Sequence, residues 1–308
     1  MQCKFYFDEP INIYKIKRLK WFNRFRNVAV ERTFTILPLF VTHLSFDKFD
    51  GDINNIPTTI THLYFGDQFW GSIIGNIPLS VNYLNLGSWF KTSIKNIIPT
   101  SITHLVFGTH FNRSIENDIP TSVIHLTFGN YFNQSIENSI PSSVTHLIFG
   151  NNFNQNIKNC IPKSIIYLSL GYNFIQSLIN CIPDYVTHFI FDGALIDPLE
   201  NFLPTSVTHL SFGDNFNKSV KIPSSVTHLV FGYSFNKFIN GCIPTSVTHL
   251  TLSRYLNISV KKCVPLSVTH LVFNINLSED KKEHIKRHLS RNNLQIHFID
   301  VIDVCLVN

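Results

Sequence analysis

The stretches IPSSVTHLVFG (Ile222–Gly232) and IPSSVTHLIFG (Ile140–Gly150) differ at one residue. Each opens on Ile-Pro, ends on Gly and alternates apolar side chains around a histidine. That alternation is the pattern of a short β-strand with one buried face. Counted outward from these stretches, twelve of the 14 prolines form a ladder: Pro38, Pro57, Pro78, Pro99, Pro120, Pro141, Pro162, Pro183, Pro204, Pro223, Pro244 and Pro265. The step is 21 residues, except for 19 from Pro38 to Pro57 and from Pro204 to Pro223. A fixed period of this length marks a repeat architecture, which governs every other reading.

Numbered from the proline, the columns have physical meanings. Position 3 is always Val or Ile, whose β-branched side chains favour extended backbone. Position 6 is Leu in eleven copies and Phe189 in the other; position 8 is Phe in nine and Leu in three. Positions 6 and 8 share one strand face and point inward. Position 9 is Gly in eight copies, with Asp47, Asp192, Ser253 and Asn274 in the rest, and reads as a sharp bend. Position 12 supplies an aromatic spine that includes Phe69, Phe90, Phe111, Phe132, Phe153, Phe174, Phe216 and Phe235. One strand and a return leg cannot bury their own apolar face, whereas stacked copies close one another. The fold expected is a β-rich repeat solenoid of about twelve 21-residue coils, with one parallel β-sheet and short helical caps at both ends. The return leg lacks helical periodicity and is expected to be extended or 3₁₀.

The columns at positions 3, 6 and 8 match the L-x-x-L-x-L core of a leucine-rich repeat. Copies such as Phe153-Asn154 through Ile157 to Ile161-Pro162 resemble the FNIP repeat, a leucine-rich-repeat relative named for its Phe-Asn and Ile-Pro pairs. The resemblance implies a right-handed solenoid, a binding role and no catalytic residues. In that family some members carry an F-box or a kinase domain before the repeats. In the leucine-rich-repeat template the outer sheet face is concave and is the usual ligand surface.

Three segments are expected: a basic and aromatic cap segment over 1–34, the solenoid over 35–277 and a helix–strand cap over 278–308. Solenoid ends need such caps because open sheet edges pair with other chains. At the C-terminal end, Ser278 precedes Glu279 and Asp280, which suit a helix N-terminus. Ile285 and Leu289, four apart, would face the stack, and Leu294–Asp300 alternates as a strand.

Hydrophobic residues make up 44% and charged residues 15%, which excludes a disordered chain. Residues 1–33 carry eight basic and three acidic side chains and so account for the whole net charge of +5. The repeat region is therefore no polyelectrolyte binder, and nucleic acid is not an expected partner. No apolar run reaches the roughly 20 residues of a membrane span. MQCKFYFDEPIN is not a signal peptide, so an intracellular, cytoplasmic protein without membrane association is expected. Within Tyr14–Asn27 basic and aromatic residues interleave; Lys17, Arg18, Lys20, Trp21, Arg24 and Arg26 are the candidates for docking. A cap helix is the first reading of this stretch, a docking helix for a protein partner such as a ubiquitin-ligase adaptor the second, and contact with nucleic acid or an anionic membrane the third. Residues 1–34 are too few for a complete F-box and lack its Leu-Pro opening.

Position 5 is His43, His62, His104, His125, His146, His188, His209, His228, His249 and His270, with Tyr83 and Tyr167 in the remaining copies. Alternation places this column on the outer sheet face. Its linear arrangement, with no carboxylate or Cys at a fixed offset, does not suit zinc, which wants three or four converging ligands. A repeated imidazole also cannot express a unique active site. No catalytic residue, metal site or cofactor is expected. The column reads as a structural ladder of flat rings, neutral at pH 7, hydrogen-bonded along itself or to the neighbouring Thr column.

Position 7 also points outward and varies, which is where recognition would be written. Tyr64, Asn85, Val106, Thr127 and Ile148 are the candidate partner-binding residues, with Trp70 and Trp89 at turns as possible anchors. Cys160 and Cys181, and likewise Cys242 and Cys263, fall two residues before Pro in successive coils, within disulfide range once stacked. In a reducing compartment they are expected to stay thiols. The function expected is a non-enzymatic scaffold that binds an unidentified protein ligand on the concave sheet. The alternatives are a ubiquitin-ligase substrate receptor docking through the N-terminal segment, a carbohydrate or surface binder, and a degenerate paralogue without a specific partner.

Overall fold

One short strand and three tight turns make each regular coil. The computed structural model describes residues 11–12, 27–30, 41–46, 56–67, 73, 75, 77–214, 216–237, 241–253, 264–274, 278–289 and 293–299, and of 11–12, 27–30, 253 and 274 the backbone alone. The first turn is opened by the proline, whose carbonyl accepts the N–H of position 3, as from Val144 to Pro141 at 3.1 Å and from Val226 to Pro223 at 3.1 Å. Proline also forces the residue before it into extended backbone, which ends the return leg of the coil before. The second turn joins the carbonyl at position 9 to the N–H at position 12, as from Phe132 to Gly129 at 3.2 Å. The third joins positions 16 and 19, as from Ser139 to Ile136 at 3.1 Å.

The third turn needs a left-handed residue at its third place, a requirement met by Asn or Gly. Asn96, Asn117, Asn138, Asn159 and Asn180 sit there with φ between 52° and 63°, and Gly75 and Gly241 hold the same position at 71°. The return leg, expected to be extended or 3₁₀, is chiefly turns. Among the described residues a 3₁₀ helix occurs at Leu199–Asn201, directly after Pro198.

The chain divides into two compact units, Met1–Gln155 and Asn156–Asn308. In the first the strands are β1 (Ile11–Asn12), β2 (Asn27–Val30), β3 (His43–Phe46), β4 (His62–Phe65), β5 (Tyr83–Asn85), β6 (His104–Val106), β7 (His125–Thr127) and β8 (His146–Ile148). Each pairs in parallel with the next, so that His104 lies beside His125 and His125 beside His146. β2 joins in the same register, Asn27 beside His43, so the sheet already runs within residues 1–34. The expected N-terminal cap helix lies outside the described residues.

In the second unit the strands are β9 (Tyr167–Leu170), β10 (His188–Phe191), β11 (His209–Phe212), β12 (His228–Phe231), β13 (His249–Ser253) and β14 (His270–Asn274). Helix α1 (Glu279–Leu289) and β15 (Gln295–Ile299) follow. Ser278 precedes the helix, and its carbonyl accepts the N–H of Lys281 and of Lys282 at 3.0 and 3.1 Å. Leu289 is buried and Ile285 half-buried. β15 extends the ladder by one rung, with Ile296 beside Leu271 and Phe298 beside Phe273. The 19-residue coils keep register, His43 beside His62 and His209 beside His228, so the two missing residues lie outside the strand.

The core holds positions 3, 6, 8 and 12. Phe107, Phe128 and Phe149 stack 5.2 and 5.3 Å apart, and Phe111, Phe132 and Phe153 6.2 and 6.1 Å apart. The two columns interlock, with 4.0 Å between Phe128 and Phe132. Full burial of one such ring stabilises by about 1.5–3 kcal/mol. Phe69 lies outside the described residues. The glycines of position 9 are needed for space more than for φ. Of those with a resolved environment, Gly87 has a positive φ, whereas a Cβ on Gly108, Gly129, Gly150 or Gly232 would collide with the glycine carbonyl of the preceding coil. The bend expected at this column is real, but close backbone approach decides the residue.

Candidate functional site

Strand alternation sends the position 5 and 7 side chains to the face opposite the core. In β6, β7 and β8 the outer residues are half-buried and the Leu between them is buried. Tyr64, Asn85, Val106, Thr127 and Ile148 all lie on this face, in consecutive strands. Ser45, in the same column, is buried at 5% exposure. Trp70 and the docking candidates Lys17, Arg18, Lys20, Trp21, Arg24 and Arg26 lie outside the described residues.

The position 5 rings stack. His104, His125 and His146 are 4.2 and 4.1 Å apart, and His43 and His62 4.0 Å apart. In the second unit His188, His209, His228, His249 and His270 form one run at 4.0 to 4.2 Å. Tyr83 sits between His62 and His104 at 5.4 and 5.9 Å, so a phenol keeps the stack with wider gaps. Each imidazole preceded by Thr has that hydroxyl against Nδ1, at 2.8 Å for Thr145–His146 and 2.9 Å for Thr208–His209. A hydroxyl both donates and accepts, so it satisfies either tautomer of a neutral ring.

Burial, with the neighbouring imidazoles second, pushes His125 and His209 down to about 4. His62, His104, His188, His228 and His249 are lowered too, burial first. A cation beside another at ~4 Å costs about 1 kcal/mol even in water. At pH 7 these rings are neutral.

Ring spacing also shows how neighbouring coils tilt. Within the first unit it grows from 4.1 Å (His125–His146) through 5.3 Å (Phe128–Phe149) to 6.1 Å (Phe132–Phe153). Within the second it grows from 4.0 Å (His209–His228) through 5.5 Å (Phe212–Phe231) to 6.2 Å (Phe216–Phe235). In both, successive coils fan apart away from the histidines, which puts the sheet face on the inside of the bend.

A second stack was not read from the sequence. Trp89, exposed at 38%, stacks on His110 at 4.0 Å, and His110 on Tyr131 at 5.0 Å. All three hold position 11, at the bend after the strand, and not on the sheet face. The Lys91 ammonium lies 4.6 Å over the Trp89 ring. Position 13 carries a ladder of Asn112, Asn133 and Asn154, in which Asn112 Oδ1 accepts the Asn133 backbone N–H at 3.0 Å and Asn133 Oδ1 that of Asn154 at 2.9 Å. Ser101, Ser122 and Ser143, at position 2, donate to the preceding coil's position 3 carbonyl at 2.7 Å. Tabulating these columns at the same period was the signal that could have found them.

Among the described residues no cluster of three or more His, Cys, Asp or Glu side chains is disposed to hold a metal ion. Within them no helix is long and apolar enough to cross a membrane. One parallel strand per coil, an inward Leu and Phe alternation and an edge of tight turns define a leucine-rich-repeat-like solenoid. Solenoids of this kind are typical of protein-interaction scaffolds and are usually non-enzymatic.

The FNIP Repeat family model matches residues 50–89, 71–110, 91–118, 111–152, 153–193, 197–222 and 216–255, and the chain belongs to that family. Among solved structures it is similar to CroV588, described as a novel circular LRR protein, with 33% identity and a TM-score of 0.59 over 88% of this chain and 45% of that one. The functional domain of InlJ from Listeria monocytogenes, described as including a cysteine ladder, shares 12% identity at a TM-score of 0.48 over 89% of this chain and 62% of its own, a likeness too slight to build on. The chain thus spans less than two thirds of either neighbour. No curated protein matches the sequence.

Proposed function

We propose that this protein is a non-enzymatic scaffold that takes a protein partner on the inner face of its sheet. The observation that carries the reading is the absence of charge from that face. Across all twelve copies, positions 3 to 8 contain no Asp, Glu, Lys or Arg. Charges such as Lys91, Lys95, Arg113, Glu116 and Glu137 are confined to the bends and the return leg. Solvated sheet faces are ordinarily rich in charge. A uniform ladder of neutral rings beside a variable column of small and β-branched residues suits an interface core, where charged residues are depleted. The uniform column sets the fold, and Tyr64, Asn85, Val106, Thr127 and Ile148 supply the variation that discriminates partners.

Affinity capture with the full chain tests this. Val106→Lys with Thr127→Lys puts cations on the face while keeping both strands' inward residues. Lys95→Glu changes charge on the return leg. The expected result is a captured protein shared by the wild type and Lys95→Glu and lost from the face variant at unchanged melting temperature. Capture that ignores the face variant would overturn the proposal.

A further inference from the structure

Cys160 and Cys181 hold position 19 of consecutive coils, each directly after a left-handed Asn, Asn159 at φ 63° and Asn180 at 58°. Both are thiols and sit in the same turn in the same way. The Cys160 Sγ donates to the Lys158 carbonyl at 3.3 Å and the Cys181 Sγ to the Ile179 carbonyl at 3.4 Å. Each also reaches the carbonyl four residues back, Asn156 at 3.8 Å and Ser177 at 3.5 Å. In this unit neighbouring coils stand about 4.8 Å apart at their paired strands and 6.2 Å apart at the Phe216–Phe235 rings. That range falls within the roughly 4.4–6.8 Å that a disulfide spans between Cα atoms. The two sulfurs also feel each other electrostatically. Burial is the first cause raising the Cys181 thiol; Lys158 opposes it, and Cys160 and Asp197 add to it.

The surroundings give the pair a purpose. The coil that begins at Pro183, two residues after Cys181, departs most from the repeat. It has Phe189 for Leu, Asp192 for Gly, Leu195 for Phe, and Ile196 where earlier coils place the laddered Asn. Ile175 and Ile196, consecutive in that column, are 52% and 57% exposed. A 3₁₀ helix overlies the third turn, which keeps its bond from the Phe202 N–H to the Leu199 carbonyl at 3.2 Å, and Asp197 reaches back to accept from Ser177 Oγ at 2.7 Å and from the Leu178 N–H at 3.0 Å.

We propose that Cys160 and Cys181 are an oxidation site, closing to an intercoil disulfide that staples the return leg ahead of this irregular coil. The oxidant class is a low-molecular-weight disulfide such as oxidised glutathione. Cys160, half-buried, is the entry point, whereas Cys181 is 7% exposed. The Cys160 thiolate attacks the oxidant, forms a mixed disulfide and releases one glutathione thiolate. Cys181 loses its proton to water, attacks the Cys160 sulfur and expels the second glutathione. Two protein thiols are oxidised, and one external disulfide is reduced to two thiols.

The reduced full-length chain is incubated with oxidised glutathione, blocked with a maleimide, digested and mapped by mass spectrometry without reductant. The expected product is a monomer lacking two hydrogens, with the Cys160 and Cys181 peptides joined, a raised melting temperature and full reversal by dithiothreitol. Cys181→Ser should instead accumulate a glutathione adduct on Cys160, and Cys242→Ser should behave as wild type. A wild-type chain that keeps glutathione on Cys160 while Cys181 remains open to the maleimide would overturn the proposal. So would a bridge that joins Cys160 to a different cysteine.

Discussion

Asn138 holds φ at 52°, where an L-residue with a Cβ is strained unless a short polar side chain relieves it. Replacement by Ala keeps the strain and removes the relief; replacement by Gly removes the strain. Asn138→Ala should cost about 1–2 kcal/mol in urea unfolding, and Asn138→Gly should stay within a few tenths. Phe132 is fully buried between Phe111 and Phe153 and against Phe128. Phe132→Ala leaves a cavity bounded by three rings and should cost about 3–5 kcal/mol, measured the same way. The Phe was legible in the sequence as a recurring apolar residue. The Asn was equally periodic, but its meaning depends on a backbone angle that composition does not reveal.

The histidine column acts as an element. Its rings face one another, the Thr hydroxyls, Tyr83 and Tyr167, with Tyr64 against Tyr83; positions 3 to 8 supply no charged group to oppose or favour protonation. Above about pH 6.5 the lowered rings of His62, His104, His125, His188, His209, His228 and His249 are neutral in the folded and unfolded chains alike, and they add no pH dependence. As pH falls below that value the unfolded chain takes protons that the folded rings refuse. Stability is therefore lost from about pH 6.5 down to about 4, the value held by His125 and His209. Melting temperature should fall steadily between pH 6.5 and pH 5, above the range in which carboxylates titrate, and His125→Asn should flatten the slope. An unchanged melting temperature across that interval would contradict a neutral ladder. The column itself was visible in the period of two along each strand. The Trp89–His110–Tyr131 stack was not, because its members sit in bends, where no alternation announces which side chains meet.

At the scale of the whole molecule, charge is sorted by place. The sequence's net +5 belongs to residues 1–33, and the sheet face carries none. A partner held by that face should resist salt. Capture should persist when ionic strength is raised to ~1 M, where the Debye length is about 3 Å. Release by salt would instead assign binding to the basic N-terminal segment. The measurement is the amount of partner retained across a salt series on the immobilised full chain.

From the sequence alone came the period, the strand at its centre, the inward Leu and Phe, the outward His and the repeat family. These are local properties: alternation and proline spacing act within one coil, so one copy carries the message and eleven more remove the noise. Tertiary structure decided what one coil means to the next. The coil spacing, from 4.1 Å at His125–His146 to 6.1 Å at Phe132–Phe153, sets the inside of the bend. Backbone contact between glycines one period apart follows from stacking alone. Contacts between residues 21 positions apart depend on the register of whole coils, which no single coil encodes.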